Sequence, residues 1–271
     1  MTSTPAPSRR GPLLAIAAIV VLAIAGVGLW YLFFRPAGPA PVSLGSATPT
    51  QVAEATADPA TDDPATAAPS DDTATEPAGS QGAAAGDGVT GTWTVDPSIG
   101  SFSDFTSSFV GYRVQETLAS IGATEAVGRT PNVTGSITID GSTISAADFT
   151  ADLTTLESDD DRRDGQLRQQ ALETGQFPEA TFVLTQPIAL DAVPADGETI
   201  DLTATGDLTL HGVTNSVEIP LQARLEGDVI VVVGSLPIAF ADYGMEPPRS
   251  MMVLSVEDNG VMELQLQLTR A

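Results

Sequence analysis

Apolar and polar residues alternate along most of the chain beyond Thr92. Within 201–212, Leu202, Ala204, Leu208 and Leu210 fall on one face, with Gly206 between them. Thr203, Thr205, Asp207, Thr209 and His211 fall on the other. Val217, Ile219, Leu221, Ala223 and Leu225 continue the rhythm, and Met262, Leu264, Leu266 and Leu268 close the chain with it. A period of two marks strands with one dry and one wet face. The same reading predicts strands at Thr92–Asp96, Val110–Glu116, Val133–Asp140, Ala147–Leu156, Thr181–Gln186 and Asp228–Ala239. Asp140-Gly141, Glu226-Gly227 and Asn259-Gly260 read as hairpin turns between them.

Eight or nine such strands in succession can stack as a sandwich or close into an up-and-down barrel, which removes the exposed edges. Runs of about ten residues are long for a sandwich and favour the barrel, whose interior at eight strands holds side chains or one ligand. One stretch interrupts the pattern. Ser158–Thr174 opens with a serine and three aspartates, as helix starts do, and carries Leu167, Ala171 and Leu172 as a narrow apolar stripe. Gly165 weakens that helix by about 1 kcal/mol relative to alanine. A second helical stretch is conceivable at Gln115–Ile121.

Ahead of the strands the character changes twice. Residues 13–34 hold 22 residues without a charge, apolar on every face. At about 1.5 Å per residue this run crosses a hydrocarbon layer of roughly 30 Å. Arg9 and Arg10 precede it, only Arg35 follows, and Trp30 and Tyr31 stand near its far end. The positive-inside rule then places 1–12 in the cytoplasm, 13–34 across the cell membrane as a single span, and the remainder outside. A cleaved secretory signal is the rival reading, although its apolar core usually runs about 7–15 residues. Both readings export the rest of the chain. Residues 35–88 are rich in Ala, Pro, Thr and Ser; past Arg35 they hold 8 acids, no base and no aromatic. That composition predicts a disordered linker, with ends about 40 Å apart as an ideal coil and further apart once proline and charge repulsion extend it.

The remaining 89–271 form one domain with 27 acidic residues against 8 arginines. So negative a surface excludes nucleic acid as an electrostatic partner but is indifferent to a greasy ligand. The chain has no cysteine, which excludes disulfides, a thiol nucleophile and thiolate-ligated metals. His211 is the only histidine, so a histidine-clustered metal site is excluded. It sits at a strand end in a His-Gly-Val-Thr turn, without a nucleophile-elbow sequence, and reads as a turn histidine bonded to backbone. Asp159, Asp160 and Asp161 fail the calcium-loop template, because Arg163, Asp164 and Gln170 fall where ligands and glycine are required. Gly86, Gly88 and Gly91 have dinucleotide-loop spacing, but no strand precedes and no helix follows. No catalytic residue and no metal ligand is assigned.

The apolar inventory carries more. Phe102, Phe105, Phe109, Tyr112, Phe149, Leu153, Leu167, Phe177, Phe182, Leu208, Leu210, Val231, Phe240 and Leu266 are candidates to line a tunnel inside the barrel. A buried chain there gains about 0.8 kcal/mol per carbon unit, less the entropy of fixing it. Plain core packing is the competing reading for each of them.

Several motifs resemble one family in order along 90–270. Trp93-Thr94-Val95-Asp96, Ser101-Phe102 and Val110-Gly111-Tyr112-Arg113 look like the opening of YceI-like domains. Phe177-Pro178-Glu179-Ala180-Thr181-Phe182 is similar to a second element of that family. Gly206-Asp207-Leu208-Thr209-Leu210-His211-Gly212-Val213-Thr214 resembles a third, and Phe240-Ala241-Asp242-Tyr243-Gly244 a fourth. The resemblance implies a lipocalin-like antiparallel β-barrel, usually exported, that holds a polyisoprenoid or quinone-like lipid and carries no catalytic residues. Members are often free and soluble, whereas this chain reads as tethered. The expectation is therefore an all-β, lipocalin-like barrel with a short helix, preceded by one transmembrane helix and a disordered linker. It binds an isoprenoid lipid or isoprenoid quinone for storage or transfer, has no other cofactor, and meets the membrane through its N-terminal helix. The alternative is a non-enzymatic protein-interaction module with a filled barrel.

Overall fold

The computed structural model describes residues 38–47, 88–119, 122–248 and 253–271. The expected cytoplasmic tail 1–12, the expected span 13–34 and most of the expected linker lie outside the described residues. Among those described, no helix is long and apolar enough to cross a membrane. The sheet belongs wholly to the compact unit Pro41–Ala271.

The alternating segments become β1 (Gly91–Val95), β2 (Phe109–Leu118), β3 (Gly122–Thr130), β4 (Val133–Asp140), β5 (Thr143–Asp152) and β6 (Glu179–Leu184). They continue as β7 (Ile188–Ala189), β8 (Thr199–Leu210), β9 (Val213–Glu226), β10 (Val229–Ala239), β11 (Val253–Val256) and β12 (Asn259–Arg270). Eight of them close a ring in the order β1, β4, β5, β6, β8, β9, β10, β12 and back to β1, each pair antiparallel. Strand β12 is long enough to serve two neighbours: Leu268–Arg270 pair with β1, and Val261–Gln265 pair with β2. Strands β3 and β11 flank β2, and a bridge between Arg129 and Glu157 joins β3 to the segment after β5. The barrel thus has one end formed around β1 and another around β2 and β3.

Two of the three expected turns reverse the chain where the sequence places them. Asp140 pairs with Thr143 and Glu226 with Val229, across Gly141 and Gly227 at φ 62° and 59°. Asn259-Gly260 does not turn. Both residues stand in the β10–β12 ladder, opposite Ala239 and Ile238, so this expectation is corrected. Gln115–Ile121 is not helical either: Gln115–Leu118 complete β2, held by a ladder to β3. The expected helix begins later than Ser158, as α2 (Asp161–Gln166) running on into a wider π-type turn at Leu167–Ala171. Asp160 caps it, its carboxylate accepting from Arg162 N at 2.8 Å and Arg163 N at 3.2 Å.

A second layer covers part of the barrel's outer wall. On β12, Leu264, Leu266 and Leu268 point inward, so Glu263, Gln265 and Gln267 point outward, yet these three are no more than 1% exposed. The segment around the short turn Phe102–Asp104 lies over them. Gln265 Nε2 donates to Phe105 O and Ser107 O, both at 2.8 Å, and Gln267 Nε2 to Thr106 O at 3.1 Å. Glu263 accepts from Arg113 Nε at 2.5 Å and from Arg129 Nη2 at 3.1 Å. The Arg129 guanidinium lies 4.4 Å from the Phe105 ring centre and 4.3 Å from that of Phe109. Burial draws its pKa below the ordinary value, against the pull of Glu263.

Residues assigned by sequence to the linker contribute to the same outer layer. Pro41–Ala47, with the short helix α1 (Leu44–Ala47), lies on the outward face of β10, where Leu44 and Ala47 pack on Val231 and Val233.

Candidate functional site

The inward faces of the ring strands enclose an apolar hollow in two compartments. One, at the β1 end, has an atom-free volume of about 1250 Å3, its opening included, and touches Val89, Ile139, Phe149, Leu202 and Leu266. The other, at the β2–β3 end, has about 1030 Å3 measured the same way and touches Tyr112, Leu153, Leu167, Leu210 and Phe240. Val110, Ala180, Leu208 and Met262 line both, so the compartments meet at a shared waist. Inward-pointing Val110, Phe149, Phe182, Met262 and Leu264 are only half-buried. In a solid core such residues would lose nearly all accessible surface; here they keep it because they face empty space. Both compartments are lined almost wholly by apolar side chains, and side by side they make an elongated space.

Local sequence explains the room. Phe182 on β6 pairs with Leu208 on β8, and its ring lies across Gly206, where an added Cβ would stand 2.5 Å from the ring. An added Cβ at 206 would also meet the Val183 carbonyl oxygen at 2.4 Å, so the position has no room for a side chain. The glycine in the Gly-Asp-Leu-Thr-Leu-His-Gly stretch thus lets the Phe182 ring lie flat against β8.

Nine of the fourteen sequence candidates reach the hollow: Tyr112, Phe149, Leu153, Leu167, Phe182, Leu208, Leu210, Phe240 and Leu266. Five do not. Phe102 and Phe105 belong to the outer covering segment, and Phe109 joins them from the outward face of β2, in edge contact with Phe105 at 6.0 Å. Val231 faces out beneath α1. Phe177 lies outside on the β8–β9 turn, its ring 4.6 Å from that of His211. Sequence reasoning also passed over Ile137, Leu184, Ile200, Leu221, Ile230 and Val232, which complete the wall of the first compartment. Their signal was available, since each shares strand parity with residues that face inward.

Polar groups enter the hollow only sparsely. Glu116, on the inward face of β2, lines the second compartment with Arg163 of α2. Arg163 donates to Glu116 Oε1 at 2.8 Å and to Asp159 Oδ1 at 2.5 Å. Burial opposes its charge, but Asp159 and Glu116 outweigh burial and raise its pKa. Close by, Asp164 accepts from Ser158 Oγ at 2.6 Å and Ser158 N at 3.0 Å. The Tyr112 hydroxyl is buried beside Ser158, and burial followed by the Asp164 charge pushes its pKa up. At the opposite end the lining arginine is Arg224, ion-paired with Glu226. Among the described residues no cluster of three or more carboxylates or histidines could hold a metal ion.

His211 behaves as its position suggests. It and Gly212 occupy the left-handed region, at φ 52° and 73°, and join β8 to β9 in a two-residue turn between Leu210 and Val213. Its Nδ1 lies 3.1 Å from Tyr243 O and its Nε2 3.2 Å from Glu173 Oε2, so both ring nitrogens are engaged in tying three loops together. Replacing His211 with alanine is expected to lower unfolding stability by about 1–2 kcal/mol, read by urea denaturation, with the native circular dichroism spectrum retained.

Comparison with known proteins places this architecture. Over 79 residues the chain is 39% identical to Protein YceI of Escherichia coli O6:H1, an alignment taking in 29% of this chain and 36% of that protein. The match thus spans little more than a third of that relative's length. A polyisoprenoid binding domain from Saccharophagus degradans superposes with a TM-score of 0.50 at 21% identity, over 66% of this chain and 98% of the other. BcnA of Burkholderia cenocepacia superposes with a TM-score of 0.47 at 21% identity, over 64% and 98%. Residues 93–268, from Trp93 on β1 to Leu268 on β12, match the YceI-like domain, and the chain belongs to that family.

Proposed function

We propose that this chain is a membrane-tethered, non-enzymatic binding protein that encloses an isoprenoid or isoprenoid-quinone lipid within its barrel. The observation that carries this reading is the apolar hollow, two adjacent compartments that share Val110, Ala180, Leu208 and Met262 in their walls. Enclosure in such a space rewards chain length, at about 0.8 kcal/mol per buried carbon unit, and needs no covalent chemistry. The fold shared with the Saccharophagus domain agrees with the reading. Tethering rests on the apolar run 13–34 and its arginine flanks, which put the barrel outside the cell membrane.

Charge favours a neutral head over a phosphorylated one. The lining arginines are Arg163 and Arg224, and each is already held by carboxylates: Glu116 and Asp159 for the first, Glu226 for the second. A pyrophosphate would meet no uncommitted cation there and would face Glu116 and Asp164 at one end. A quinone head carries no charge to desolvate, so it needs no cation there.

Full-length protein purified from membranes in detergent, extracted with organic solvent and read by mass spectrometry, is expected to yield about one neutral isoprenoid lipid per chain. Prenyl pyrophosphate in its place would overturn the assignment of the head. Repeatedly empty protein that also fails to bind added menaquinone would overturn lipid carriage itself and leave an interaction module.

A further inference from the structure

We propose that Glu116 is the head-group residue of the hollow, where one carboxylate oxygen selects a lipid whose polar end carries a hydroxyl over one that carries only acceptors. A prenyl alcohol and a reduced quinone both supply that hydroxyl. The inference rests on the lipid-binding reading above and names the head that the site takes. Strand pattern sets the residue apart. On β2, Val110, Tyr112, Val114 and Glu116 share one face and all line the second compartment, so a carboxylate stands where alternation asks for an apolar side chain. Its partner across the β2–β11 ladder, Val256, lines the same compartment. Among the described residues lining either compartment, Glu116 is the one carboxylate.

The carboxylate is also half-used. The Glu116 side chain is only 5% exposed, and a buried carboxylate is costly unless its oxygens find donors. Oε1 has one, Arg163 Nη2 at 2.8 Å. Oε2 accepts a hydrogen bond from no described residue. Asp164 makes the contrast. It is 3% exposed, yet its two oxygens accept from Ser158 Oγ at 2.6 Å and from Ser158 N at 3.0 Å. Stability alone does not call for the charge at Glu116, since an apolar residue in its place would hold the fold as well.

Chemistry supplies the preference. A ligand hydroxyl donates to Oε2 in a charge-assisted hydrogen bond and completes the carboxylate. A quinone carbonyl or an ether sets lone pairs against it and leaves Oε2 buried and unpaired, while a phosphate adds like charge. A site built to bond a hydroxyl rejects the analogue that lacks one. The Tyr112 hydroxyl does not undo this, because it is itself buried beside Ser158 and does not face the open space. With the head at Glu116, the tail is left to walls that are almost wholly hydrocarbon.

Full-length protein, stripped of lipid in detergent, is equilibrated with an equimolar pair of probes, and the retained lipids are read by mass spectrometry. One pair is a long prenyl alcohol and its methyl ether. The other is menaquinol and menaquinone, kept without air. Within each pair the hydroxyl-bearing probe is expected to be retained at least about tenfold over its partner, and the stronger of the alcohol and the quinol identifies the source of the head. Glu116→Gln keeps an oxygen for Arg163 but turns an amide donor toward the hollow, so it should abolish or invert both preferences. A merely structural role would weaken all the probes together and leave the ratios unchanged. Ratios near one in the parent protein would overturn the assignment of Glu116, whether or not the variant folds. Failure of every probe to bind would overturn lipid carriage itself, and this inference with it.

Discussion

Replacing Glu263 with alanine is expected to remove about 3–5 kcal/mol of folding stability, because it strips the central carboxylate from a buried ion triad. Glu263 is 1% exposed and lies on the outward face of β12, with Arg113 Nε at 2.5 Å and Arg129 Nη2 at 3.1 Å. Arg113 would keep Glu125, at 2.7 Å from its Nη1. Arg129, 3% exposed between two phenylalanine rings and with the like charge of Arg113 nearby, would lose the Glu263 carboxylate. Val42 N loses its acceptor as well. Urea unfolding of the variant beside the parent measures the difference. A loss below about 1 kcal/mol would mean that the triad contributes no more than a surface pair. Because Glu263 points away from the hollow, lipid retained per folded molecule should not change.

Ala180→Phe is expected to do the reverse, leaving the fold standing while cutting retention of long-chain lipid at least about a hundredfold. Ala180 is one of the residues lining both compartments, and it sits on β6 opposite Ala151 of β5, a pair of small side chains at the waist. A phenyl ring there grows into open space, which keeps the stability change small compared with overpacking a filled core. It also separates the compartments. A chain shut out of one of them by five carbon units forgoes about 4 kcal/mol of apolar burial, and relief of its ordering entropy returns only part of that. A short prenyl chain that fits one compartment should bind nearly as before, and this contrast separates a blocked passage from a damaged fold. Equal loss of short and long chains would argue for damage.

The five candidates that missed the hollow show how far residue type leads astray when parity is ignored. Phe109 and Tyr112 lie three apart on β2, so a period of two forbids both from facing inward, whatever their hydrophobicity. Tyr112 faces in and Phe109 faces out, into the layer that covers Arg129. Val231 carries the same lesson. In Val229–Val233 every residue is apolar, and a strand apolar on both faces announces a second layer outside the wall. The displaced turn at Asn259-Gly260 has another cause. Asn-Gly favours a tight turn locally, but eleven positions of pairing between β10 and β12 outweigh that preference.

Alternation alone determined that the chain beyond Thr92 is a sheet with one dry face, and the run of long strands pointed to closure. Motif order pointed to the family. These are local properties, written into each segment by the directions in which neighbouring side chains must point. Which greasy face looks onto empty space and which is covered by a second layer was decided only in three dimensions. A hollow is a shortage of atoms between distant strands, and the grip of Glu263 and Gln267 on residues more than two hundred positions earlier depends on a packing that no local window contains.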